Sequence, residues 1–214
     1  MMCLDPMWSL SMSKPRLFSL VPDLVTNDLL KECCDLFNSN FEKTINGIDV
    51  KVFPNRMKKY LSNSIIFCLY VNDSLIGYMI VEKITNDLIW IKQIVIAKGF
   101  RNNGLATQLV KNICNYKFIG IITNNPIMIK ILKAQGFTIS QESKQYNNVY
   151  ERFGFKQIID LYKIDYIVKR KTNYVALTHL VNLQEIVGNI SLYPLTTIED
   201  GYEWIVLFCN NTIN

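Results

Sequence analysis

Metal-binding residues are scarce in this chain. It has one histidine, His179, in 214 residues, and none of its six cysteines forms a C-x-x-C pair. Zinc at any recognised ligand spacing is therefore not expected. Cys3, Cys33, Cys34, Cys68, Cys114 and Cys209 read as reduced thiols of a cytoplasmic protein, with Cys68 inside an apolar run and Cys114 at a helix end. Long apolar runs are missing too. The longest, such as Ile65 to Val71, suit a buried strand and fall short of a bilayer's thickness, so no membrane partner is expected. Near the N-terminus, Asp5, Lys14 and two prolines interrupt residues 1–20 before a signal-peptide core could form. Strong charge of one sign is absent: the net charge is +5, and the basic residues are spread. The compact run Lys169-Arg170-Lys171 reads as a solvated strand end or turn, so no nucleic-acid partner is expected. Neither a fixed-period repeat nor a low-complexity tract is found.

Apolar residues are abundant. Half of the chain is hydrophobic and 12% is aromatic, which favours a packed globule: one domain with an extension. Arg16 to Val21 is a first strand stopped by Pro22. Thr26 caps a helix carrying Leu29, Leu30, Cys33, Leu36 and Phe37 at helical spacing, and Pro54 starts a short second helix through Leu61. Strands Ile65 to Val71, Leu75 to Lys83 and Leu88 to Ile96 follow, joined by turns at Asn72-Asp73 and Asn86-Asp87 into an antiparallel meander. Strict alternation along the third places Ile89, Ile91, Gln93 and Val95 on one face and Trp90, Lys92, Ile94 and Ile96 on the other. A helix from Asn103 to Cys114, a strand from Phe118 to Thr123 and a helix from Pro126 to Gly136 complete the readable part. Beyond Phe137, Gln145 to Phe155 is expected to be helical, and Ile164 to Lys169, Tyr174 to Leu180 and Gly201 to Cys209 to be strands. The fold class is α/β or α+β, a layered sheet with helices.

The stretch from Leu88 to Cys114, LIWIKQIVIAKGFRNNGLATQLVKNIC, stands apart. An alternating strand runs through a basic loop containing Asn and Gly into an amphipathic helix. Backbone N–H groups at a helix start, the helix dipole and a glycine that permits close approach together suit a phosphate. Its Arg101-Asn102-Asn103-Gly104-Leu105-Ala106 segment resembles the Q/R-x-x-G-x-G/A acyl-CoA signature of the GNAT superfamily of N-acetyltransferases.

That resemblance implies a GNAT-like mixed, splayed β-sheet flanked by helices. Its expected organisation is a lead-in at 1–15, an acyl-CoA-binding domain at 16–155, and C-terminal strands at 156–214 that complete or extend the sheet. It also implies transfer of an acetyl or short acyl group from acetyl-CoA or a related acyl-CoA to an amine of a small molecule or protein. The main chain of Ile94, Val95 and Ile96 would pair with the pantetheine arm, and an N–H near Val95 or Ile96 would accept the acyl carbonyl. The pyrophosphate would lie on Asn102, Asn103, Gly104, Leu105, Ala106 and Thr107, with Arg101 or Lys98 adding charge. Asn125, eleven residues before Gly136, either contacts the pantetheine arm or starts a helix. Whether the chain acts alone or as a homodimer is left open.

The chain departs from the family pattern where proton transfer is expected. The family's N-x-x-A-x-x-x-Y-x-x-x-G-F puts Leu132 at the Tyr place if Gly136-Phe137 ends the helix. Counting from Gly154-Phe155 puts Tyr150 there, with Ser143 at the Asn place. The first placement is favoured because Gly136-Phe137 directly follows a strand and a helix start. Tyr150 is then an acid reaching in from an inserted helix, or a core aromatic. Trp90 stands where many family members carry a Glu. Glu82, in the preceding strand, is the candidate base if buried and a solvated strand residue if not. These departures keep a second reading open, a module that binds CoA without catalysis.

Overall fold

The computed structural model describes residues 13–40, 43–45, 48–49, 51–123, 125–139, 167–171, 175–176 and 202–210. In chain order they form β1 (Arg16–Leu20), a 3-10 turn (Pro22–Leu24), α1 (Asn27–Asn40), β2 (Lys43–Ile45), β3 (Ile48–Asp49) and α2 (Pro54–Leu61). Then come β4 (Ser64–Val71), β5 (Ser74–Lys83), β6 (Leu88–Ile96), a 3-10 turn (Lys98–Phe100), α3 (Leu105–Lys111), β7 (Phe118–Thr123) and α4 (Pro126–Ala134). The remainder is β8 (Phe137–Ile139), β9 (Ile167–Lys171), β10 (Val175–Ala176) and β11 (Tyr202–Asn210). The expected helix at 145–155 lies outside the described residues.

Local chemistry sets these boundaries. Thr26 Oγ1 accepts the Leu29 N–H at 3.2 Å and opens α1. Pro54 and Pro126 occupy first helical positions, where no N–H is needed. Asn72 and Asp73 both take positive φ, 47° and 60°, as a two-residue hairpin turn between β4 and β5 requires. Gly136, at φ 88°, donates its N–H to the Lys133 carbonyl and ends α4 just before Phe137, so Gly136-Phe137 does close this helix. α3 is shorter than the periodicity suggests. Gly104 caps it in the left-handed conformation, and after Lys111 the Asn112 and Ile113 N–H groups bond three residues back, to Leu109 and Val110.

The principal sheet is mixed and open, in the order β1-β4-β5-β6-β7-β11-β8, with β9 also paired to β11. β1, β4, β5 and β6 are antiparallel neighbours and β6 and β7 are parallel, while β11 runs antiparallel to β7 on one side and to β8 and β9 on the other. A small sheet has the order β10-β2-β3. Two cores cover the faces of the large sheet. One packs Leu29, Leu30, Cys33, Cys34 and Phe37 of α1 and Met57 and Leu61 of α2 against Ile66, Cys68, Tyr78, Ile80 and Val95. The other packs Leu105, Leu109 and Val110 of α3, and Met128, Ile129 and Leu132 of α4, against Met79, Val81, Ile89, Ile91, Ile119 and Ile121.

Strict alternation fails along β6. Ile80 pairs with Gln93 but Val81 pairs with Ile91, leaving Lys92 as the extra residue of a β-bulge. Past the bulge the faces exchange. Ile94 and Ile96 therefore join Ile89 and Ile91 on the α3/α4 side, while Val95 lies on the α1/α2 side.

Candidate functional site

The bulge coincides with a parting of strands. β6 and β7 are paired from Leu88↔Phe118 to Ile91↔Ile121, and the ladder stops there. Among the described residues, β6 continues from Lys92 to Ile96 paired through Gln93, Ile94, Val95 and Ile96 to β5 alone. Among the same residues, the side of this segment turned away from β5 borders a gap, and backbone groups on such a border need partners from elsewhere.

Directly beyond the gap, Ala97 donates its N–H to the Ile76 carbonyl and the chain turns through Lys98–Phe100 into the Asn- and Gly-containing loop. Asn102 (φ 65°) and Gly104 (φ 73°) are both left-handed, and Asn103 Nδ2 donates to the Arg101 carbonyl at 3.0 Å. Among the described residues no heavy atom lies within 4 Å of where a Cβ on Gly104 would be, so the loop presents open space over its main chain. The Gln108 N–H makes the first bond into α3, to the Gly104 carbonyl, and the N–H groups of Leu105, Ala106 and Thr107 precede it without a helical acceptor. This open, N–H-rich turn beside an uncovered strand border fits a phosphate followed by an amide-bearing arm.

The candidate side chains have distinct surroundings. Arg101 braces the loop: its Nε donates to the Ile96 carbonyl at 3.1 Å and its guanidinium NH2 to the Asn40 carbonyl at 3.2 Å. Asn125 caps α4, its Oδ1 accepting the Ile127 N–H at 3.0 Å while its own N–H reaches Thr123 Oγ1 at 2.9 Å. Glu82 is buried, and Lys92 Nζ lies 3.2 Å from its Oε2 and 3.1 Å from Ser64 Oγ. The solvated alternative for Glu82 is thereby excluded. Tyr150 lies outside the described residues. Leu132, at the family's Tyr place, is fully buried in the α3/α4 core. Trp90 is also buried, with its indole over β7: a Cβ on Gly120 would fall 1.9 Å from Trp90 Cε3.

Sequence reasoning overlooked three residues here. Lys92, a lysine in an otherwise apolar strand, was a visible signal. Gln93 accepts a 2.9 Å hydrogen bond at Oε1 from the buried Tyr78 hydroxyl, which desolvation holds well above its ordinary pKa and so as a donor. Asn40, a polar residue at a helix end, gave no local signal. Among the described residues no group of three or more His, Cys, Asp or Glu is arranged to hold a metal ion, and no helix is long and apolar enough to cross a membrane.

Residues 62–157 match a family model described as an acetyltransferase (GNAT) domain. No curated protein matches the sequence. Among solved structures, the ribosomal-protein-S18-alanine N-acetyltransferase of Escherichia coli is similar at a TM-score of 0.53 and 10% identity, covering 92% of this chain and 93% of that one. A protein of Streptococcus mutans UA159 is similar at a TM-score of 0.50 and 11% identity, covering 90% and 96%. At such identities the likeness establishes the fold, a mixed open sheet flanked by helices.

Proposed function

We propose, for a chain whose residues 62–157 match a GNAT acetyltransferase domain model, transfer of an acetyl or short acyl group from acyl-CoA to an amine. The observation that carries this reading is the end of the β6–β7 ladder at Ile91↔Ile121, directly before the loop around Gly104. In it, the N–H groups from Asn102 to Thr107 hold the pyrophosphate, and Ile94, Val95 and Ile96 offer main-chain partners to the pantetheine amides. An N–H of Val95 or Ile96 that points away from β5, in a strand held in place by its pairing with β5, polarises the acyl carbonyl without needing to reorganise. Asn125 orients the first turn of α4 beside the gap.

Amine acylation also needs a proton removed from the acceptor and one delivered to the departing thiolate. Glu82 is the proposed proton acceptor. It pairs with Trp90 two pairs before the bulge, and Lys92, itself bonded to Ser64 Oγ, holds it in place. Tyr150 is the proposed proton donor, on its spacing from Gly154-Phe155. The cysteine usage supports a cytoplasmic site of action as part of this proposal.

A second reading, a GNAT-like module that binds CoA as a sensor or interaction domain, is favoured by two side chains. Leu132 in the core and Trp90 over Gly120 occupy the places where the family carries its Tyr and Glu. Thiol release from acetyl-CoA separates the two. An enzyme liberates CoA when given a panel of primary amines and peptide N-termini, and Glu82→Gln lowers that rate at least tenfold. A module binds acetyl-CoA and liberates nothing above hydrolysis.

A further inference from the structure

We propose that Asn40 is a positioning residue for acyl-CoA, a hub that fixes the loop before Gly104 by hooking it to the C-terminal end of α1. The inference rests on the acyl-CoA reading above and adds a residue on the opposite side of the sheet from α3.

Three groups of Asn40 are engaged at once. Its Nδ2 donates to the Leu36 carbonyl at 2.7 Å, closing the last turn of α1 on itself. Its Oδ1 accepts the Lys98 N–H at 2.6 Å, and its own carbonyl accepts Arg101 NH2 at 3.2 Å. The carboxamide thus bridges a helix terminus and a loop 58 residues later in the chain. Arg101 completes the brace through Nε on the Ile96 carbonyl, the last residue of β6. The loop is therefore anchored at residue 96 by β5, at 98 by Asn40 and at 101 by both Asn40 and Ile96.

The anchoring matters because, among the described residues, none packs over Gly104. Gly104 has open space around it, Asn102 and Gly104 are held at positive φ, and residues 101–104 are exposed. A loop without packing keeps its N–H groups convergent only if its base is fixed, and a phosphate binds more tightly to donors that need no reordering. α1 supplies a stable anchor: Cys33, Leu36 and Phe37 are buried against the sheet, and Asn38 ties the same end of the helix to Val52 through bonds of 2.9 and 2.8 Å. Arg101 in this role acts through its planar fork, which Lys cannot reproduce.

The test uses the full chain with acetyl-CoA as probe, read by calorimetric titration and by ligand-free thermal unfolding. Asn40→Ala removes both the bond to Leu36 and the bond from Lys98. Asn40→Asp removes only the donor to Leu36 and keeps an acceptor for the Lys98 N–H. Titrations are run in high salt, where the added charge is screened. Both variants should melt lower than the parent, because both lose the helix closure. Acetyl-CoA affinity should fall about tenfold in Asn40→Ala, the worth of one well-placed hydrogen bond, and stay within about threefold of the parent in Asn40→Asp. A purely structural Asn40 would move melting and leave both affinities alone, which overturns the proposal. Equal affinity losses in the two variants would overturn it as well. If the parent chain itself fails to bind acetyl-CoA, the acyl-CoA reading falls and takes this inference with it. Parent binding with an unaffected Asn40→Ala removes the inference alone.

Discussion

Gly120 is a glycine because Trp90 occupies the space a side chain would need. The two are register partners across the parallel ladder, and a Cβ there would lie 1.9 Å from Cε3 and 2.1 Å from Cζ3 of a buried ring. Gly120→Ala should therefore destabilise the protein by about 3 kcal/mol, the upper end of overpacking costs. In a Trp90→Leu background the same change should cost far less, a coupling visible in a double-mutant cycle of urea unfolding. The Glu82–Lys92 pair gives a second test. Its side chains are 7% and 11% exposed, and removing one partner of a buried pair leaves the other charge uncompensated. Lys92→Met alone should cost about 3–5 kcal/mol in unfolding experiments, while Lys92→Met with Glu82→Leu should recover most of the loss. Glu82 and Lys92 were each legible as a charge in an apolar run. Their pairing was not, because it depends on a bulge and on two strands meeting in space. The hold of Asn40 on the loop could not be read at all, since its partners there lie 58 and 61 residues away.

Among the elements, β4, β5, β6, β7 and both longer helices lie within a residue or two of where their turn and cap residues put them. Thr26, Pro54, Asn72-Asp73 and Asn125 each act through local chemistry, and local chemistry is visible in sequence. Side-chain direction along β6 was misread from Gln93 onward because a bulge adds one residue and reverses the alternation, and period-two reading has no means of anticipating it. The place of β11 between β7 and β8 was equally illegible, since pairing across some eighty residues leaves no local mark. The interface of α1 with β4 carries a pH prediction. Burial, with a smaller push from Glu32, raises the Cys68 thiol from its ordinary 9.0 to about 12, and burial also raises Cys33. Unfolded thiols ionise near 9, so above that pH the unfolded chain releases protons that the folded chain retains. The stability from these thiols is full below about pH 9 and is lost as pH rises toward 12. Cys68→Val should flatten the fall in unfolding free energy above pH 9 by about 1.4 kcal/mol per pH unit, measured by urea titrations across that range.

Over the whole molecule, the open mixed sheet combines two features at one point: strands that part at Ile91↔Ile121 and a phosphate-suited turn at the exit of the same strand. The turn was legible because its chemistry is contiguous, Arg101 to Thr107. The parting of β6 from β7 was reached only through the resemblance, because it is a property of two strands and a bulge together. The acyl-CoA reading needs both, and one measurement bears on it most directly: melting temperature with and without acetyl-CoA, in the parent chain and in Gly104→Glu. At a ligand concentration near one hundred times Kd, linkage adds about 2.7 kcal/mol to the folded state, a rise of roughly 5–10 °C for a domain of this size. The Gly104→Glu variant places a strained side chain and a negative charge where the pyrophosphate is to lie, and it should show no rise. An equal rise in both proteins would put acetyl-CoA elsewhere, and no rise in either at millimolar ligand would contradict the account at its root.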